Sequence, residues 1–116
     1  MPITGAHVIL YTSEPDAVRA IFRDVLSYPS VDAGGGWLIF QLPPAEVAMH
    51  PTDGAASHEL SFMCDDLQAT IEELRNKGLD VDAAIQEQRW GITTTVHLPG
   101  GLDLLLYEPR HPTPRG

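Results

Sequence analysis

Residues 7–22, HVILYTSEPDAVRAIF, and residues 59–74, ELSFMCDDLQATIEEL, follow one pattern. Each stretch begins with a strand-like run of five residues, and an acidic residue stands seven positions after the first residue of that run: Glu14 in one stretch and Asp66 in the other. Apolar side chains then recur at helical spacing, which predicts an amphipathic helix after each strand. The repetition predicts two copies of one structural unit within the chain.

Three short strand-like runs follow each predicted helix, and turns rich in glycine and proline separate them. Each half is therefore predicted to be a strand–helix–strand–strand–strand repeat, which makes the chain an α+β domain. The runs lie around Val31 and at residues 37–42, 46–50, 80–87, 93–97 and 102–107.

These runs set the expected boundaries: repeat one at about residues 4–51, a linker at 51–57, repeat two at about 58–109 and a loose tail at 110–116. In such a repeat the helix covers one face of the sheet, so two repeats must pair to bury the other face, either within a chain or between chains. Two paired curved sheets leave a concave trough between them, which is a natural ligand site. We expect a homodimer, because paired modules bury more surface than isolated ones.

The composition limits the partners of the chain. It has 116 residues and a formal net charge of −9, with seven Lys and Arg residues against sixteen Asp and Glu residues. This balance predicts no nucleic-acid partner and no anionic membrane surface, because both require clustered cations, and it weakly favours a cationic small ligand. Cys64 is the single cysteine, and no stretch is typical of a membrane span or a signal peptide, so we expect a cytoplasmic protein.

Six short motifs connect these elements to a known family. They are residues 7–11 (HVILY), 22–26 (FRDVL), 60–66 (LSFMCDD), 90–91 (WG), 98–101 (LPGG) and 106–109 (LYEP). Their order and spacing resemble the vicinal oxygen chelate superfamily, which contains glyoxalases, bleomycin-resistance proteins and extradiol dioxygenases. The resemblance covers about residues 4–109, and it implies a glyoxalase-like fold in which two βαβββ repeats form curved mixed sheets around a trough.

The resemblance also implies where a metal ion would bind. Family members that use a divalent metal hold it on the first and last strands of each repeat, usually with His or Gln on the opening strands and Glu on the closing strands. His7 and Glu59 take the opening positions in this sequence, but Leu105 and Val47 take the closing positions and cannot act as ligands. Because a transition metal generally takes three or more protein ligands, this set is incomplete, and a divalent metal is not the expected cofactor. Donors on neighbouring strands could substitute, namely His97, Gln41 and Asp103.

The register of the second opening strand leaves an alternative open. Neighbouring strand residues point to opposite faces, so His58 and Glu59 cannot both face the trough. Leu60 and Phe62 are suited to pack under the helices, which favours Glu59 in the trough, opposite His7. A shift of one residue would instead place His58 beside His7 and favour a two-histidine metal site.

The candidate lining of the trough follows from the resemblance and from residue chemistry. Trp90, directly before Gly91, is expected at the pocket mouth, where it would stack on a flat ligand, and packing at the rim is the equal alternative. His7 and Glu59 are the only catalytic candidates, as an acid–base couple. The expected ligand-binding residues are His7, Tyr11, Glu59, Met63, Trp90 and Tyr107.

Two classes of function are consistent with these residues. The first is a metal-free small-molecule binder of the bleomycin-resistance type, which sequesters a cationic or aromatic ligand. The second is a metal-dependent lyase, isomerase or dioxygenase of the same superfamily. A third hypothesis is metal-free enzyme chemistry with His7 or Glu59 as the base.

Overall fold

The computed structural model describes residues 5–114. Residue 4, at the start of the predicted first repeat, and residues 115–116, at the end of the predicted tail, lie outside the described residues. The helical segments are α1 (Pro15–Ala20), a π-helical turn (Ile21–Val25) that continues it, and α2 (Leu67–Asn76). The strands are β1 (Ser30–Asp32), β2 (Leu38–Phe40), β3 (Ser61–Met63), β4 (Asp80–Val81), β5 (Gln86–Gln88), β6 (Gly91–Leu98) and β7 (Leu102–Pro109).

Both helices begin where the sequence predicted, but their first turns differ. Asp66 precedes α2, and its Oδ1 accepts a hydrogen bond from a backbone N–H of the first turn at 3.1 Å. This side-chain cap satisfies one of the amides that a helix start leaves unpaired. Leu67 and Ile71, four residues apart, form the buried face of α2. Helix α1 begins after Glu14 with Pro15 in its first turn, and no side chain of the described residues caps it.

The second half forms the main sheet of the molecule. Five strands in the order β3-β7-β6-β4, with β5 also paired to β6, make one mixed sheet. β3 runs parallel to β7, and the other pairs are antiparallel. β6 and β7 pair over eight residues each, which makes them the longest strand pair of the sheet. The α+β class is confirmed, and the predicted strand at 80–87 is divided into β4 and β5, so that four strands follow α2.

The first half is less complete. β1 and β2 pair as a short antiparallel ribbon, but residues 7–11 and 46–50 form no strand, so the prediction of strands there is wrong. A strand persists only where a neighbouring strand accepts and donates its backbone hydrogen bonds. β2 has three residues, and Pro43-Pro44 follows it without amide donors, which prevents a ladder into residues 46–50.

The helices of both halves share one core. Val18 of α1 and Phe22 of the π-helical turn pack in the same cluster as α2 and one face of the five-stranded sheet. The Phe22 ring lies 6.1 Å from that of Phe62 and 5.5 Å from that of Phe40, centroid to centroid. The buried members of this core are Val18, Phe22, Leu67, Ile71, Leu79, Val81, Val96, Leu98, Leu104 and Leu106. Within residues 5–114, no helix is long and apolar enough to cross a membrane.

Candidate ligand-binding face

The face of the five-stranded sheet opposite the helices is the candidate site, and we call it the open face. Leu104 and Leu106 of β7 are in the core, so the residues that alternate with them point the other way. Residues directly opposite each other in an antiparallel pair share a face, and the observed registers therefore extend the assignment to the neighbouring strands. The open face comprises Ser61, Met63, Asp80, Thr93, Thr95, His97, Asp103, Leu105 and Tyr107. Thr93 is buried, and the other members are partly buried or exposed.

One end of the open face carries a histidine held between two carboxylates. His97 Nδ1 lies 2.8 Å from Asp103 Oδ1, and His97 Nε2 lies 2.9 Å from Asp82 Oδ1. The hydrogen bond with Asp103, followed by the one with Asp82, raises the pKa of His97 to about 9. The ring is therefore an imidazolium at neutral pH, and it donates a hydrogen bond to each carboxylate. Asp80 lies opposite His97 in the register, so this end of the face is acidic overall.

The other end of the open face is aromatic. The rings of Trp90 and Tyr107 meet edge to face, with centroids 5.0 Å apart and planes at 88°. The His111 ring lies 6.2 Å from Tyr107 on a tilted plane, and the Arg110 N–H donates to the Trp90 carbonyl at 2.8 Å. Met63 lies opposite Tyr107 on β3. Edge-to-face aromatic packing of this kind adds stability beyond the burial of area alone and gives a rigid apolar platform.

Comparison of the whole structure with solved structures identifies its fold. The antibiotic-binding protein TnmS3 from Streptomyces sp. CB03234 superposes with a TM-score of 0.65 at 20% identity, over 94% of this chain and 98% of that chain. A lactoylglutathione lyase from Agrobacterium tumefaciens gives 0.59 at 19% identity, over 93% and 96% of the two chains. A glyoxalase/bleomycin resistance protein/dioxygenase from Nocardioides gives 0.60 at 13% identity, over 97% and 91%.

The chain has the vicinal oxygen chelate fold. No protein-family model and no curated protein matches the sequence. The fold that the sequence resemblance implies is therefore confirmed through the structure, because these similarities cover nearly the full length of both chains.

Within this vicinal oxygen chelate fold, three of the six predicted ligand-binding residues come together. Met63 and Tyr107 are register partners on the open face, and Trp90 contacts the Tyr107 ring. His7 and Tyr11 lie in the exposed segment before α1, outside both sheets. Glu59 is exposed two residues before β3, and no hydrogen bond or ion pair between described residues joins it to His7.

The predicted alternation at β3 agrees with the packing. Leu60, Phe62 and Cys64 pack against the core, whereas Ser61 and Met63 lie opposite residues of the open face. The strand begins at Ser61, after both His58 and Glu59, and both of these are exposed. Whether Glu59 or His58 points toward a bound ligand remains a prediction.

The residues present do not fit the metal centre that the sequence resemblance implies. Leu105 lies on the open face between Ser61 and Thr95 in the register, and Val47 is 83% exposed outside any strand. Of the substitute donors, His97 has both nitrogens engaged by carboxylates, and an imidazolium has no free lone pair for a metal. In residues 5–114, no group of three or more His, Cys, Asp or Glu side chains is arranged to hold a metal ion.

Two features of the face were missed by the sequence analysis. Asp82 is the second partner of His97, and it directly follows β4, which ends at the core residue Val81. The sequence carries no local signal for this contact. His111 lies in the segment predicted to be a loose tail. Its ring contact was not predicted from the sequence, because a proline-rich chain end is typical of a segment without fixed contacts.

Proposed function

We propose that this protein binds a small organic cation with a flat aromatic part on the open face, without a metal ion, and acts by sequestering it. One observation carries the proposal: a single sheet face has an aromatic platform at Trp90 and Tyr107 and an acidic cluster around His97. Aromatic rings attract flat and cationic ligands, and carboxylates attract the cationic group. The net charge of −9 raises the local concentration of such a ligand.

The distance between the two ends sets the size of the ligand. Asp103 and Tyr107 are four residues apart on β7, which corresponds to about 13 Å at roughly 3.3 Å per strand residue. A ligand of two or three fused rings with an amine arm spans that distance. Its rings would lie against Tyr107 and its ammonium group near Asp103 and Asp82, with Leu105 and Thr95 beneath the middle.

The charge balance of the acidic end favours a cation. Asp80, Asp82 and Asp103 carry three negative charges against the one positive charge of His97. Each carboxylate keeps one oxygen that the His97 bonds do not use, so each has an acceptor to offer a ligand N–H. A hydrogen bond from a charged donor to such an acceptor is stronger than a neutral one.

We further propose that a second copy of the chain packs on the exposed apolar residues before α1 and after β2 and makes a homodimer. Five apolar side chains in the segments without strands are exposed, with exposed fractions between 48% and 84%. Several exposed apolar groups close together in sequence on a small domain favour a protein interface. These side chains are Val8, Ile9, Tyr11, Val47 and Met49.

The comparisons are consistent with the binding proposal at the level of the fold, since one similar structure is that of an antibiotic-binding protein. The alternative, a metal-dependent lyase, isomerase or dioxygenase, lacks donors at Leu105 and Val47. The structure offers no observation that favours it over binding.

Titration with a matched pair of planar probes tests the binding proposal. We expect the cation proflavine to quench tryptophan fluorescence and raise the melting temperature, and the anion anthracene-2-sulfonate to do neither. Asp103→Asn removes one carboxylate of the acidic end and should weaken proflavine binding about tenfold, the equivalent of roughly 1.4 kcal/mol. Asp53→Asn makes the same charge change in the exposed linker and serves as the control, with a change below about twofold. Equal binding of both probes, or equal effects of the two variants, would overturn the proposal.

Sedimentation velocity tests the homodimer separately. Ile9→Asp places a charge among the exposed apolar groups and should convert a dimer to a monomer, because a buried unpaired charge is costly. Thr52→Asp, in the exposed linker, should leave the sedimentation coefficient unchanged. A wild-type protein that sediments as a monomer at high concentration would contradict this part of the proposal.

A further inference from the structure

A crevice on the helix side of the sheet has no role in the proposed function, although Met63 of the open face also lines it. It lies between the π-helical turn and α2, and its volume is about 230 Å³. Its floor is formed by core residues of β6 and β7 that point away from the open face, namely Val96, Leu98, Leu104 and Leu106. Most of the side chains that line the crevice are apolar, which suits an apolar ligand.

The wall of the crevice has an irregular backbone. The Leu26 N–H donates to the Ile21 carbonyl at 3.0 Å and the Tyr28 N–H to the Phe22 carbonyl at 3.1 Å, so each bond spans more residues than the four of an α-helix. Ser27, at the end of this turn, has a φ of +59° without being glycine. Isolated π-helical turns are rare and are frequent at functional sites, and a non-glycine residue in the left-handed region is uncommon. The turn widens the helix where Phe22 and Val25 line the crevice.

Three aromatic rings surround one side of the crevice. The centroid of Tyr28 lies 6.1 Å from that of Phe22 and 6.2 Å from that of Phe62, both edge to face, and Phe22 and Phe62 are 6.1 Å apart. Such an arrangement presents ring edges and faces to a further aromatic ring. Leu74 and Leu79 provide aliphatic surface opposite.

The polar groups at the crevice are few and nearly balanced in charge. Glu73 and Lys77 of α2 line it as a weak ion pair at 3.6 Å. Burial raises the pKa of Tyr28, so its hydroxyl stays protonated and can donate a hydrogen bond. Because the two charges offset each other, the lining favours a neutral molecule over an ion.

We propose that this crevice is a second small-molecule site, which binds a neutral bicyclic aromatic molecule with one hydrogen-bonding group, of the indole or naphthol class. The volume of about 230 Å³ exceeds the roughly 150 Å³ of an apolar cavity that holds benzene, which leaves room for a second fused ring. The rings of Phe22, Tyr28 and Phe62 hold the aromatic body, and the Tyr28 hydroxyl bonds the polar atom.

Calorimetric titration with indole and 2-naphthol tests this site. Val25→Phe fills the crevice from the π-helical turn and should weaken binding of both probes at least tenfold. Val31→Phe makes the same substitution at an exposed position of β1 and should change binding by less than twofold. Failure of both probes to bind wild type, or equal binding by Val25→Phe and Val31→Phe, would overturn the proposal.

A second variant keeps the test decisive if Val25→Phe does not fold. Tyr28→Phe removes only the hydroxyl, and it should reduce the preference for 2-naphthol over naphthalene at least threefold while naphthalene binding stays the same. An unchanged preference would refute the role of Tyr28. Asp103→Asn should leave indole binding unchanged, so the crevice and the open face can fail independently.

Discussion

Strand β7 and residues 46–50 come at the ends of the two halves, after the same order of helix and strand-like runs, but their surroundings differ. β7 pairs with β6 over eight residues and with β3 on its other side, whereas residues 46–50 form no strand. Glu108 of β7 also accepts a hydrogen bond from the Leu67 N–H at 3.0 Å, which ties the sheet to the start of α2. The difference shows that an apolar run becomes a strand only where a long neighbour supplies its hydrogen bonds.

The largest expected effect separates the two halves by burial. Leu67→Ala removes a side chain with no exposed surface, and it should lower the free energy of unfolding by about 2–5 kcal/mol, because it leaves a cavity in the core. Val47→Ala, at an exposed position in the first half, should change it by less than about 0.5 kcal/mol. Urea denaturation at low protein concentration measures both. A large effect of Val47→Ala would show that the segment at 46–50 is packed, contrary to this structure.

A smaller effect separates the starts of the two helices. Asp66→Ala removes the side-chain cap of α2 and should cost about 1 kcal/mol of unfolding free energy. Glu14→Ala, at the equivalent position of α1, removes no cap bond and should change stability by only a few tenths of a kcal/mol. The same denaturation experiment measures both, and equal losses would mean that Glu14 caps α1 in solution.

The pH dependence of stability sharpens the comparison at the acidic end of the open face. The folded-state pKa of His97 is raised from 6.5 to about 9, so the protonated ring stabilises the fold. By linkage, this contribution is fully present below about pH 6.5 and is lost as the pH rises through about 9. His97→Gln should flatten the stability profile between these values, and His7→Gln, in the first half, should retain it. Thermal denaturation across this range measures the profile, and a wild-type profile without a decline would contradict the doubly bonded ring.

The sequence predicted the second half well because its signals were local. The acidic N-cap at Asp66, the helical spacing of Leu67 and Ile71, and the alternation in β3 all depend on near neighbours. The same reasoning failed at residues 7–11 and 46–50, where alternation was present but the neighbouring strand was absent. Pro43-Pro44, read as a simple turn, was the signal that the ladder would stop there.

The candidate site was predicted in part for the same reason. Met63 and Tyr107 are in strands whose register follows from alternation, and they meet on one face. The contact of His97 with Asp82 could not be predicted, because it joins residues 15 positions apart that meet only after β4 has paired with β6. The crevice depends on a π-helical turn, and the helical spacing of residues 18–26 gives no sign of that irregularity.

The smallest expected effect concerns Glu59 and His58. It tests whether Glu59 faces the ligand, as the predicted register of the second opening strand requires, or whether His58 does. Ser61 is opposite Leu105 in the parallel pair, so extending the register back by two residues brings Glu59 level with Asp103, at the acidic end of the open face. Glu59→Gln should therefore weaken proflavine binding by about threefold, a modest effect because the side chain is exposed and solvent screens its charge. His58→Ala should leave proflavine binding unchanged, because Leu60, two residues on, packs against the core and residues two apart share a face. A loss with His58→Ala and none with Glu59→Gln would reverse the register, and zinc titration of wild type and His7→Ala would then test a two-histidine site.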